Sequence, residues 1–256
     1  MARSTTVTLT LTDHGRALVA EAAGTFMFFS IGAGSIVANQ MTGGAIGVVG
    51  VALAHGLALA VAVSAFGAIS GGHFNPAVTF GLFVAGKHPS GRVLTYWAAQ
   101  LVGGLVAGLF LLLAFQHVPS AVEATHLGTP GLAAGVSPLA GIVIELVLTV
   151  FLLWAVFGTA VSPTAPRIAG FGIGLTVAAD ILMGGPLTGA AMNPARWFGT
   201  AVAGRFLDNW YVYWIGPLIG GALAGLSYRY FFSSDAEREP IVLPPTPDAK
   251  GRTQRM

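Results

Sequence analysis

Two stretches decide how this chain reads: Ser70-Gly-Gly-His73-Phe-Asn75-Pro76-Ala77-Val-Thr-Phe-Gly81 and, far downstream, Leu187-Thr-Gly-Ala-Ala-Met-Asn193-Pro194-Ala195-Arg196-Trp197-Phe-Gly199. Asn is a favoured helix N-cap and Pro is favoured at the first helical position, so each Asn-Pro-Ala predicts a helix start. The apolar stretches that follow end near Gly86 and Gly204, about 12 residues or roughly 18 Å at the usual helical rise. Such helices are too short to span a bilayer and too apolar to sit in water. A single copy would be no more than a capped helix. Two copies, each behind glycines suited to extended backbone (Gly71-Gly72 and Gly184-Gly185), point instead to half-helices dipping in from opposite faces. Irregular backbone at that depth is tolerated only where it is buried in protein or lines an aqueous cavity.

The rest of the chain supplies the membrane. Of 256 residues, 54% are apolar and 9% charged, with a mean hydropathy of +0.76; a soluble chain carries about a quarter charged residues. That argues against a soluble enzyme. The net charge of +2, from scattered Lys and Arg, removes the basic footprint of a nucleic-acid binder. Cysteine is absent, which excludes disulfides and thiolate metal sites; no metal, cofactor or catalytic residue is expected. Apolar runs at Ala17–Ala38, Gly47–Ile69, Val93–Phe115, Pro138–Val161, Ile168–Gly185 and Val212–Phe232 are each close to a bilayer-crossing length. The fold class is therefore an all-α membrane protein with six transmembrane helices and two re-entrant half-helices. The expected organisation is an N-terminal tail over 1–16, a channel domain over 17–232 (repeats about 17–116 and 138–232) and a disordered tail over 233–256.

Basic residues orient the spans. Arg3, Arg16, Lys87, Arg92, Arg167, Arg229, Arg238, Lys250, Arg252 and Arg255 share one side if both termini are cytoplasmic, and Arg196 and Arg205 are the exceptions. With no secretory or organellar targeting segment read in the first residues, a bacterial cytoplasmic membrane is the expected location.

An internal repeat joins the two halves. Glu21-Ala-Ala-Gly-Thr25-Phe echoes Glu145-Leu-Val-Leu-Thr149-Val-Phe. Tyr96-Trp97-x-x-x-Leu-x-Gly103-Gly104 echoes Tyr213-Trp214-x-x-x-Leu-x-Gly220-Gly221. Three spans per half is an odd number, so the halves insert with opposite polarity, and a site forms near the midplane where they meet. The glycines supply small faces for close helix packing.

Paired Asn-Pro-Ala boxes, the second followed by Arg196, with a Glu in the first span of each half, resemble the aquaporin (major intrinsic protein) family over nearly the whole chain. The resemblance implies a right-handed bundle, one pore per subunit and a homotetramer. It also implies a selectivity filter at His55, Ile181, Ala190 and Arg196. That set departs from water-specific and glycerol-conducting members and resembles the plant tonoplast intrinsic proteins, which pass water and often ammonia, urea or hydrogen peroxide. Glu21, Glu145 and His73 are expected to brace the re-entrant loops, since an unpaired carboxylate in hydrocarbon is costly. His126 is expected in an exposed loop and Asp180 in a structural pair off the pore line. Trp197 replaces the family's usual Ser or Asp.

The opposed helix ends at Asn75 and Asn193 would orient water and repel cations and protons. The expected partners are water, small neutral solutes and lipid. Two alternatives remain at this stage. One is a facilitator of ammonia, urea or peroxide with water secondary. The other is an ion-coupled secondary transporter, although the spans hold few carboxylates for a coupling site.

Overall fold

The computed structural model describes residues 11–166 and 168–234. Of the basic residues used for orientation, Arg3, Arg167, Arg238, Lys250, Arg252 and Arg255 lie outside those residues, as does nearly all of the expected C-terminal tail. The first half contains α1 (Asp13–Met41), α2 (Gly47–Ser70), the short α3 (Pro76–Val84) and α4 (Val93–Ala114). A connection holding α5 (Pro119–Thr125) leads to the second half: α6 (Pro138–Val156), α7 (Ala169–Thr188), the short α8 (Pro194–Gly204) and α9 (Val212–Ser227). Among the described residues five helical stretches are long and apolar enough to cross a bilayer. The sixth expected span, α9, has 16 α-helical residues and then winds through a π-helical turn at Tyr228–Phe232.

Helix α1 begins at Asp13, inside the expected tail, because the Thr12 hydroxyl accepts the Gly15 N–H at 3.1 Å. A second difference concerns the glycine leads. Gly184 and Gly185 are not extended; α7 runs through them and through Pro186 to Thr188. The positional counterpart of Gly71 (φ 95°) is Gly189 (φ 81°), and both end a span in the left-handed conformation that glycine adopts without steric cost. Gly184 is instead a packing glycine: a Cβ there would lie 2.5 Å from a methyl of Leu148.

The packing follows the repeat. Helix α1 packs on α2 and α4 as α6 packs on α7 and α9, and α2 meets α7 at the centre. Each half-helix docks on the third span of the other half, α3 against α9 and α8 against α4. Glycine makes this possible. A Cβ on Gly104 of α4 would lie 2.7 Å from the Ala195 carbonyl oxygen, and one on Gly221 of α9 would lie 2.5 Å from that of Ala77. The chain crossing therefore places Asn75 and Asn193 at one level from opposite directions.

Candidate functional site: a conduit between two facing helix ends

Each half-helix is capped by its own asparagine. Asn75 Oδ1 accepts the Ala77 N–H at 2.8 Å, and Asn193 Oδ1 accepts those of Ala195 and Arg196 at 3.0 and 3.3 Å. The amide nitrogens each have two hydrogens to place. One crosses between the halves: Asn75 Nδ2 donates to the Met192 carbonyl at 2.8 Å, and Asn193 Nδ2 donates to that of Phe74 at 3.0 Å. Both asparagines line one largely enclosed cavity, the candidate conduit, which leaves the remaining hydrogens as candidate donors into it.

Phe74 and Met192, just ahead of the two caps, are both left-handed (φ 50° and 52°). For residues with a Cβ this costs on the order of 1 kcal/mol or more and persists only where the surroundings over-determine it. Here they do. The Phe74 N–H donates to Glu21 Oε2 at 2.7 Å and the Met192 N–H to Glu145 Oε2 at 2.6 Å, while the carbonyl of each is held by the other half's asparagine.

Glu21 and Glu145 are fully buried. Glu21 also accepts from the Ser70 hydroxyl (2.6 Å), the His73 N–H (2.9 Å) and Gln100 Nε2 (2.8 Å). Glu145 also accepts from the Thr188 hydroxyl (2.7 Å) and the Ala191 N–H (2.9 Å). Outside these carboxylates, the Tyr96 and Tyr213 hydroxyls donate to the Ser70 and Thr188 carbonyls at 2.9 and 3.0 Å. The sequence showed these tyrosines as a repeat without revealing a use for them. Ser70 and Thr188, at matching distances before the two boxes, were the signal that could have found the rest.

His73 lines the conduit, and its Nδ1 lies 3.0 Å from the Thr79 hydroxyl. That hydroxyl donates to the Asn75 carbonyl, so it accepts from His73, which puts the imidazole proton on Nδ1. The His73 ring packs against His88 (4.9 Å between centroids) and Tyr96 (5.1 Å). His88, in the connection between α3 and α4, has its pKa pushed down to about 4, first by burial and then by His73 beside it.

His55, Ile181, Ala190 and Arg196 all line the conduit and are all buried, and three of them (His55, Ile181 and Arg196) also face a wider vestibule bounded by Asn39, Thr129 and Pro130. His55 Nδ1 lies 2.8 Å from the Val51 carbonyl, which can only accept. The proton is therefore on Nδ1, and the bare Nε2 accepts Arg196 Nη2 at 2.9 Å. Arg196 Nε and Nη1 are buried without a protein partner. Between the vestibule and His73 the wall is largely apolar, with Phe28, Leu59, Val78, Leu152, Val156, Ile173 and Val177.

The remaining candidates lie elsewhere. His126 is exposed and stacks on Phe206 with centroids 3.9 Å apart, and at the vestibule its loop presents Thr129 and Pro130 instead. Asp180 is buried on α7, and its Oδ2 has no hydrogen-bond partner, so the expected pairing is not made at that atom. Trp197 is buried with its Nε1 unpaired and its ring stacked on Tyr213 at 5.8 Å.

Comparison with known proteins agrees with this architecture. Residues 8–228 match the major intrinsic protein family. Aquaporin TIP4-4 of Zea mays is 47% identical over 235 residues, covering 88% of this chain and 90% of that protein. Probable aquaporin TIP2-1 of Oryza sativa subsp. japonica is 49% identical over 226 residues, covering 85% and 88%. Among solved structures, the aquaglyceroporin from Plasmodium falciparum superposes with a TM-score of 0.76 at 23% identity, covering 85% of this chain and 96% of that one; this likeness bears on the fold alone.

Proposed function

This chain belongs to the major intrinsic protein family of membrane channels for water and small solutes, and from that premise we propose that it conducts water together with ammonia or other small neutral solutes while refusing protons and ions. The observation that carries the reading is the pair of asparagine caps on one conduit, each with an amide hydrogen left over after its bond across the halves. A water between them accepts both hydrogens on its oxygen and must turn its own hydrogens away along the file. A proton relay needs the opposite polarity on one side and is interrupted there.

The same two helix ends oppose cations. Each carries roughly half a positive charge; at an effective dielectric near 20 and a distance of roughly 5 Å, each repels a monovalent cation by about 2 kcal/mol. Dehydration adds to that, and Arg196 adds a full charge at the vestibule end. At the level of Arg196 the conduit meets Ile181 where a hydrogen-bonding group could have stood, and the His55 lone pair is taken by Arg196. Apart from the unpartnered Arg196 Nε and Nη1, this level offers few free polar groups, and so sparse a set discriminates weakly between water and other small neutral molecules, which favours a mixed permeability. The homotetramer and the bracing roles of Glu21, Glu145 and His73 belong to the same proposal. The expected bacterial membrane draws no support from relatives found in maize, rice and Arabidopsis.

The test is a paired flux measurement on proteoliposomes: light scattering under osmotic shock for water, and internal alkalinisation in an ammonium gradient for ammonia. Both rates should exceed those of empty liposomes, with no proton current. Ammonia flux without water flux would favour the facilitator in which water is secondary. A saturable flux that collapses with the proton gradient would replace the channel by a coupled transporter.

A further inference from the structure

The imidazole of His55 is fixed on several sides. Nδ1 is bonded to the Val51 carbonyl, Nε2 to Arg196, and the Phe28 ring meets it edge-on at 6.2 Å. Its remaining side faces α1 at Gly32. A Cβ built on Gly32 would lie 2.7 Å from His55 Nε2 and 2.9 Å from Cγ, with Cδ2 nearer still. Non-bonded carbons settle at about 3.5–4.0 Å, so the ring edge occupies the volume that any side chain at position 32 would need. Glycine inside a helix is unfavourable relative to alanine, and Gly32 is buried well within α1. The close approach of His55 accounts for its presence.

We propose that Gly32 is a specificity-determining residue: its missing side chain lets His55 recess toward α1 and draw the Arg196 guanidinium to the wall, which leaves room for small neutral solutes other than water. Gly32 touches no solute and acts as a positioning residue through His55. With alanine at 32 the ring must leave α1, and the open direction is into the conduit, toward Ile181 and Ala190. This inference rests on the channel reading above and deepens it to the solute class.

Gly32→Ala, in full-length protein reconstituted into liposomes, is the test, with water, ammonia and urea as the probes. Ammonia and urea permeabilities should fall about tenfold, while water falls less than about twofold, because a narrowed neck costs the larger or poorly bonded solute more. The double variant Gly32→Ala/His55→Ala removes the ring that clashes and should recover the ammonia and urea rates of His55→Ala alone. Alanine is the better helix former, so a damaged helix is not the expected result. An unchanged solute-to-water ratio in Gly32→Ala overturns the proposal. So does a double variant as restricted, or as poorly folded, as Gly32→Ala, since the clash would then lie with something other than His55. A parent protein that passes neither water nor ammonia would fail the channel reading itself and this inference with it; a conducting parent isolates the role of Gly32.

Discussion

The two halves keep one device and surround it differently. In each, a buried glutamate on the first span grips a hydroxyl at the end of the second and two N–H groups of the re-entrant loop, and a tyrosine on the third span ties down the same loop. Behind this device the first half is polar: His73 and Gln100 both donate to Thr79, and Gln100 gives Glu21 a fourth donor. The matching positions in the second half are Ala191, Trp197 and Pro217. There Glu145 has three donors, and the Trp197 ring lies on Tyr213 with 10° between planes. An indole thus stands where the first half has a polar chain. What the halves share is what the strained loop requires, and what they do not share is filling, which can be aromatic or polar provided the volume is occupied.

Removing the shared device should have the largest effect. Glu21→Leu strands four donors and Glu145→Leu three, each at about 1–3 kcal/mol when buried. Melting temperature in detergent should fall by at least about 6 °C in both, at roughly 2–4 °C per kcal/mol for a chain of this size, and further for Glu21. Gln100→Leu removes one donor and should reproduce the three-donor state of the second half with water flux retained. Equal damage from Gln100→Leu and Glu21→Leu would break the comparison.

Changing the filling should come next. Trp197→Thr copies the first half's residue without its companions and leaves a cavity, for an expected loss of about 3 kcal/mol. Trp197→Phe keeps a ring against Tyr213 and loses the second ring's volume along with an N–H that has no partner, so it should cost about 1–2 kcal/mol, less than Thr. Thermal melts of the two variants decide it: if Phe is as damaging as Thr, ring stacking on Tyr213 is not what holds this filling in place.

The smallest effect concerns the polar half alone. His88 titrates near 6.5 when unfolded and at about 4 when folded. As pH falls between those values the unfolded chain takes up the proton first, so the stability due to neutral His88 is complete above about 6.5 and lost toward 4. His88 is half-buried, which screens the effect. His88→Gln should flatten the dependence of melting temperature on pH in that window; an identical slope would remove His88 from the account.

Much of this was legible from sequence. The spans, the two half-helices and their caps follow from hydropathy and from Asn-Pro pairs, and those signals act between residues only a few positions apart. The same local logic failed at Gly184-Gly185, where α7 stays helical with Gly184 packed against Leu148 and the left-handed turn falls to Gly189. Trp197, unexplained in the sequence, acquires a physical reason only beside Tyr213. The left-handed Phe74 and Met192, their exchange of bonds with the opposite asparagines, and the seat of His55 between Gly32 and Arg196 left no trace in the composition. Each joins residues far apart in the chain, and only the crossing of the two halves brings them within hydrogen-bonding range. Local chemistry determined which segments enter the bilayer and where the short helices begin; the docking of each half on the other decided which atoms face the conduit and which are used up holding it open.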